Sequence, residues 1–213
     1  MAKKVFLVFC GVVLGTVLGL GQEGVESSTV VFSIHNEAGV PANDLDKAEQ
    51  FATQVYERAG VSVRWVNRPA GSGKEDGCGD LSEQVVCVVV SIVPKSSGSG
   101  GDVLGVAFSV REGMGKFATV FYGRVRDLGG QRLSSAGVLG FVIAHEAGHI
   151  LLGANSHSSL GIMQPCWESP QLRKASMGNL LFTPEQAERM RQRIRETERK
   201  KLEMTMRAKA ELR

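Results

Sequence analysis

The sequence predicts an α+β fold in which a mixed, twisted β-sheet packs with helices, one of them buried along its whole length. Short β-branched and apolar runs, typical of strands, recur between residues 30 and 125 and are interrupted by one amphipathic stretch with helical spacing. Residues 134–152 are then apolar on almost every side, as expected of a helix in the centre of a protein. A short C-terminal subdomain is predicted to follow this helix.

The composition indicates one globular domain and excludes the disordered and collagen-like classes. Of 213 residues, 43% are hydrophobic and 22% are charged. The formal charge is +3, but residues 184–213 hold ten basic and six acidic residues, whereas residues 22–183 hold thirteen and sixteen. Because the basic excess belongs to the tail, the overall charge predicts no nucleic-acid partner.

Residues 1–21 have the pattern of a secretory signal peptide. Lys3 and Lys4 precede an apolar run over residues 5–20, and Gly21 lies near the expected cleavage point. An uncleaved anchor is the alternative, but glycines break the run and it falls short of the ~20 residues that span a bilayer. Either pattern predicts export, to the exterior or to the cell envelope or periplasm, with the main domain over residues 22–183.

The elements ahead of the buried helix begin in strand, helix, strand order. Residues 30–34 form a β-branched run, and residues 41–59 place apolar side chains on one side of a helix that Gly60 ends. The nearly continuous apolar run of residues 85–93 is typical of a strand buried on both faces. Alternation and glycine-rich turns predict the other strands, at residues 61–66, 104–110 and 117–125.

Three cysteines lie beyond the predicted signal peptide. Cys78 and Cys87 can close a short loop in an oxidising compartment and leave Cys166 single, although the sequence leaves other pairings open. No C-x-x-C spacing is repeated, so a structural zinc site built on cysteine is not predicted.

The buried helix contains three ionisable side chains, which are costly to bury unless they are paired or bind a metal. His145 and His149 are one helical turn apart, so both imidazoles project from one face and can bind a single Zn²⁺. Glu146 is adjacent to His145 but rotated away from the face that the two histidines share. A carboxylate at that position suits a general base acting on water at the metal. Zinc is therefore the predicted cofactor and Glu146 the predicted catalytic residue.

Residues just beyond the helix extend this pattern. Gly153 can end the helix and turn the chain so that His157 returns towards the first two histidines. A tight apolar turn centred on Met163 follows.

This succession resembles the metzincin clan of zinc metallopeptidases, in which an H-E-x-x-H helix is followed by a glycine, a third histidine ligand and a methionine turn below the metal. The resemblance implies a zincin-like fold and peptide-bond hydrolysis, with His145, His149 and His157 as zinc ligands and Met163 as an apolar floor. Each gap after His149 is four residues, where the clan has three. His157 is favoured as the third ligand, and Glu168 is the alternative under a two-His, one-Glu scheme.

Two further segments predict contacts with other molecules. If the strand at residues 117–125 lies at the edge of the sheet, a peptide or protein substrate can add to it by main-chain hydrogen bonds along Phe117, Thr119 and Phe121. Residues 184–213 predict a charged helix that starts with a cap at Thr183. This helix is expected to be solvated, and a weak contact with an anionic surface is the alternative.

The leading functional hypothesis is an exported zinc metallopeptidase. One alternative is a protein that binds zinc without turnover, which Glu146 argues against because a structural site needs no such carboxylate. Another is an envelope interaction protein that works through the basic C-terminal helix. The sequence does not specify the substrate, the cleavage specificity, the oligomeric state or a latency mechanism.

Overall fold

A computed structural model describes residues 29–69, 78, 86–94, 103–109, 116–130, 133–153 and 155–211. These residues form five strands and five helices, in the order β1 (Thr29–Asn36), α1 (Ala42–Arg58), β2 (Ser62–Arg68), β3 (Val86–Val93), β4 (Gly105–Ser109), β5 (Lys116–Phe121), α2 (Tyr122–Leu128), α3 (Ser135–Leu152), α4 (Ser169–Ser176) and α5 (Pro184–Glu211). The α+β class is confirmed. The signal peptide predicted for residues 1–21 lies outside the described residues.

The five strands form one mixed sheet in the order β2-β1-β3-β5-β4. The first four are parallel, and β4 runs antiparallel to β5. Seven of the eight side chains of β3 are buried, which fits its nearly continuous apolar sequence and its place in the middle of the sheet. The sheet is therefore the mixed one that the sequence predicts.

The strand predicted over residues 117–125 is shorter than expected. β5 ends at Phe121, and residues 122–128 form α2 instead. Phe121 pairs with Val93, the last residue of β3, so the ladder has no partner beyond this point. The main-chain N–H of Gly123 then donates to the carbonyl of Pro94 as the new helix begins.

The prediction that this strand forms the substrate edge is wrong. β5 lies between β3 and β4, so the main chain along Phe117, Thr119 and Phe121 is already paired on both sides. The edge strand is β4, which pairs antiparallel with β5 and lies last in the strand order on that side of the sheet.

Helix α3 lies at the centre of the molecule. It packs against α1, where the rings of Phe51 and Phe141 are 5.9 Å apart and the hydroxyl of Tyr56 donates to the carbonyl of Ala144 at 3.0 Å. Among the described residues it is the one helix long and apolar enough to cross a membrane. Its side chains are buried on nearly all sides by the rest of the domain. The high hydropathy of this helix is therefore accounted for by its place in the core.

Two helices follow the buried one. α4 is absent from the sequence predictions, and it is only eight residues long. α5 starts with a capping box in which Thr183 and Gln186 exchange hydrogen bonds of 3.0 and 3.2 Å, as the sequence predicts. Its first half packs on the domain through three buried side chains, Ala187, Met190 and Ile194.

Cys78 and Cys87 are joined by a disulfide, and Cys166 is a free, exposed thiol. The bridge ties residue 78 to the central strand β3.

Candidate functional site

The two histidines of α3 face one another across a single helical turn. Their Nε2 atoms are 3.1 Å apart and their ring centroids 4.8 Å apart. Ser134 caps the helix by accepting a hydrogen bond from the N–H of Gly137, and Gly153 ends it with a φ of 86°. The helix alone therefore supplies two nitrogens that can bind one ion.

The chain beyond Gly153 brings His157 to the same place. Asn155 adopts a φ of 56°, and this turn places the ring of His157 4.6 Å from that of His149 and 5.6 Å from that of His145. One nitrogen from each ring lies within 4.8 Å of the other two. His157 is exposed, so the cluster is open to solvent on its side.

Glu168, the alternative third ligand, is not part of this cluster. Within the described part of the chain, the group of side chains close enough to share an ion consists of the three histidines. Glu168 instead precedes α4, where its N–H donates to Oε1 of Gln171 at 3.1 Å.

Hydrogen bonds on the far side of each ring set its orientation. Nδ1 of His145 donates to the carbonyl of Ile162 at 2.8 Å, which leaves the lone pair of its Nε2 directed into the cluster. The indole N–H of Trp167 donates to the same carbonyl at 3.1 Å. Nδ1 of His149 shares a 2.8 Å hydrogen bond with the hydroxyl of Ser156. Such outer contacts are typical of histidines that bind a metal.

The electrostatics of the two helical imidazoles favour their neutral forms. The pKa of His145 is lowered to about 4, mainly by burial; the hydrogen bond to the carbonyl of Ile162 opposes this shift, and the nearby His157 adds to it. The pKa of His149 is also lowered to about 4, mainly by burial and then by the two neighbouring histidines. Neutral imidazole is the form that binds metal ions, so the two helical histidines are in the form that Zn²⁺ prefers.

Glu146 is buried beside the histidines, between α3 and β4. A methyl group placed on Gly105 would come within 2.7 Å of Cγ and 2.9 Å of Cδ of this glutamate, so the carboxyl fits only because Gly105 has no side chain. Burial raises the pKa of Glu146 to about 8. A carboxyl with this pKa can hold or release a proton near neutral pH.

Met163 packs against the turn of α3 that includes Gly148. It is fully buried, and a methyl group on Gly148 would meet its Sδ at 2.8 Å. The turn that carries Met163 is held by a 2.8 Å hydrogen bond from the N–H of Ile162 to the carbonyl of Leu181.

A cleft of about 1420 Å³ opens onto the cluster. Its lining includes residues of the edge strand β4, the three histidines, Glu146 and residues 164–168. Phe108 and Val103 expose 58% and 46% of their surface, so the β4 wall presents apolar side chains.

Sequence reasoning missed the residues that orient the ligands. The Ile162 carbonyl carries no sequence signal, because every residue has one. Ser156, Trp167 and Gly105 are common residue types that gain a role only through contacts across the fold.

The buried carboxyl predicts a trade-off between stability and activity. A folded-state pKa of about 8, against 4.5 in the unfolded chain, means that the native state binds more protons between these values, so stability falls as pH rises through that range. Glu146→Gln removes this loss, and we expect it to stabilise the metal-free protein by on the order of 3 kcal/mol at pH 7. The gain is expected to be small at pH 5 and largest above pH 8.

Urea unfolding in the presence of a chelator at pH 5, 7 and 8.5 measures this gain. Glu203→Gln, at an exposed position of α5, is the matched control and is expected to leave stability nearly unchanged at each pH. A Glu146→Gln gain that is constant across the three pH values would contradict the burial argument.

Comparisons with known proteins give matches at the level of architecture. No protein-family model matches the chain, and neither does any curated protein. Among solved structures, metalloproteinase-II from Bacteroides fragilis matches with a TM-score of 0.50 and 15% identity over 81% of this chain and 55% of that one. This chain thus spans just over half of that protein's length. A zinc-dependent peptidase from Methanocorpusculum labreanum (strain Z) matches with a TM-score of 0.47 and 14% identity, over 76% of this chain and 100% of that chain.

Proposed function

We propose that this chain is an exported, metzincin-like zinc metallopeptidase that hydrolyses peptide bonds. The observation that carries the proposal is the convergence of three histidine nitrogens within 4.8 Å, beside a buried glutamate and at the floor of an open cleft. The likeness of the fold to that of metalloproteinase-II is consistent with it. A protein that only stored zinc would have no use for a buried carboxyl at this position.

The residues present fit a zinc ion. His145 and His149 would hold it through Nε2, since their Nδ1 atoms bond to Ile162 and Ser156. His157 would complete the set. When bound, zinc lowers the pKa of a coordinated water and polarises a substrate carbonyl.

Glu146 moves the proton in this scheme. Its carboxylate accepts a proton from the attacking water and later delivers it to the nitrogen of the leaving amine. Burial raises the pKa of Glu146. The positive charge of a zinc ion held by the three histidines would lower that pKa again. These opposed effects place the base in the range where it can both take and return a proton.

The edge strand β4 is the proposed platform for an extended peptide or protein substrate. Its outer main-chain groups face away from β5, and no other described strand pairs with them, so a substrate could add there as a strand. The exposed Phe108 and Val103 favour apolar substrate side chains on this wall.

Met163 is proposed to support the ligands as an apolar floor. Its sulfur packs against the turn between His145 and His149, so it limits movement of that turn. Export through residues 1–21 and a weak anionic-surface contact through α5 remain predictions.

Purified protein is expected to contain about one zinc per chain and to cleave members of a general peptide library. Chelation is expected to abolish cleavage, because the side chains of the site supply no Lewis acid to activate the water or polarise the substrate carbonyl, and added Zn²⁺ is expected to restore it. Protein without bound metal, or cleavage that persists after the metal has been removed, would contradict the proposal.

A further inference from the structure

We propose, on the basis of the proposed zinc site, that Gln186 at the start of α5 is a positioning residue that holds His157 in place. Of the three histidines, His157 is the one outside regular secondary structure, and its side chain is exposed. No described residue hydrogen-bonds its ring, which lies beside the rings of His145 and His149 at centroid distances of 5.6 and 4.6 Å. The backbone around it must therefore be restrained by other contacts.

The amide of Gln186 supplies this restraint on both sides of His157. Its Nε2 donates to the carbonyl of Ser156 at 3.3 Å and to Oγ of Ser158 at 3.0 Å. The N–H of Ser158 also donates to the carbonyl of Met163 at 3.0 Å, and Oγ of Ser156 bonds to His149. One side chain thus ties together the two residues that flank the third histidine.

The capping box of α5 fixes which way this amide points. Oε1 of Gln186 accepts from the N–H of Thr183 at 3.0 Å, and the N–H of Gln186 donates to Oγ1 of Thr183 at 3.2 Å. A flipped amide would place the NH₂ group of Gln186 against the N–H of Thr183, and both groups are donors. The NH₂ group must therefore face Ser156 and Ser158. Both of its hydrogens then have an acceptor there.

A second contact from α5 covers the start of the same connection. A methyl group on Gly153 would lie 2.5 Å from Nη1 of Arg193, so this guanidinium packs directly over the glycine. α5 is itself anchored by its buried side chains Ala187, Met190 and Ile194. Helix α5 therefore stabilises the connection between His149 and His157. This connection is one residue longer on each side of Gly153 than in the metzincin pattern.

The variant that isolates this role is Gln186→Glu. Glutamate keeps the capping box, since its carboxylate also accepts from the N–H of Thr183, but it has no hydrogens for Ser156 and Ser158. We expect zinc affinity, measured by competition with a chromogenic chelator, to fall about 10-fold. The added negative charge attracts Zn²⁺, so a fall in affinity cannot be a charge effect. The visible spectrum of the Co²⁺-substituted protein is expected to change as well, because it reports the ligand geometry.

Two further variants accompany it. Gln192→Glu makes the same chemical change at an exposed site of α5, where Nε2 donates to Glu188 at 2.8 Å, and is expected to keep wild-type affinity and spectrum. Ser158→Ala removes one of the two acceptors without adding charge and is expected to weaken zinc binding roughly two- to five-fold. It carries the test by itself if Gln186→Glu does not fold, as judged by helix content.

The outcomes separate this proposal from the function it builds on. Wild-type protein that binds no zinc would overturn the proposed metal site. Wild-type protein that binds zinc, with Gln186→Glu and Ser158→Ala at equal affinity and unchanged Co²⁺ spectra, would overturn the role of Gln186 and leave the peptidase proposal standing. An equal loss in Gln192→Glu would also overturn it.

Discussion

Glu146→Gln is expected to lower kcat for peptide cleavage by roughly 10²- to 10⁴-fold while zinc stays bound, which is the range that a general base contributes. Glutamine has nearly the same shape and fits the space beside Gly105, but it cannot accept the proton of the attacking water. The histidines are untouched, so metal content is expected to remain at the wild-type value. The measurement pairs steady-state kinetics on one library-derived peptide with zinc analysis of the same sample.

Glu168→Gln is the control for this experiment, because its carboxyl lines the same cleft but lies outside the histidine cluster. Its kcat is expected to stay close to wild type. Cleavage by Glu146→Gln within a few fold of wild type would remove Glu146 from the chemistry. Simultaneous loss of zinc would mean that the carboxyl acts as a ligand instead.

His157→Ala is expected to weaken zinc binding by more than about 100-fold, since even residues that only orient a ligand contribute 10- to 100-fold. Its nitrogen lies within 4.8 Å of the other two, and removing it leaves two donors where a catalytic zinc site needs three. Chelator competition measures the affinity, and cleavage activity is expected to disappear at low free zinc.

Glu168→Ala decides between the two candidate third ligands. It is expected to retain wild-type zinc affinity, because Glu168 stands at the start of α4 and not in the cluster. The reverse pattern, with zinc lost in Glu168→Ala and retained in His157→Ala, would replace a three-histidine site by a two-His, one-Glu site.

Local patterns were sufficient to predict the parts of the site that lie on one helix. A spacing of four residues fixes the relative direction of His145 and His149 wherever α3 packs, because both directions follow from the helical repeat. The apolar sequence around them likewise predicts burial, and burial is the cause of the lowered histidine pKa values and the raised pKa of Glu146.

Strand identity could also be predicted locally, but strand order could not. β3 is apolar enough to be recognised as an interior strand, whereas β4 and β5 have similar apolar and glycine-flanked sequences. Which of the two lies at the edge is decided by pairing across the sheet, where β5 and not β4 pairs with β3. The turn from β5 into α2 depends in the same way on where β3 and β4 stop.

Contacts between segments distant in sequence explain the remainder. Ser156, the carbonyl of Ile162, Gln186 and Gly105 each act on a residue that another element supplies, at distances that no spacing rule predicts. The amino-acid sequence was enough to identify a metal-binding helix, since helical geometry is local. The position of the third histidine, the strand that borders the cleft and the groups that orient the ligands required the folded chain, because they arise where separate elements pack together.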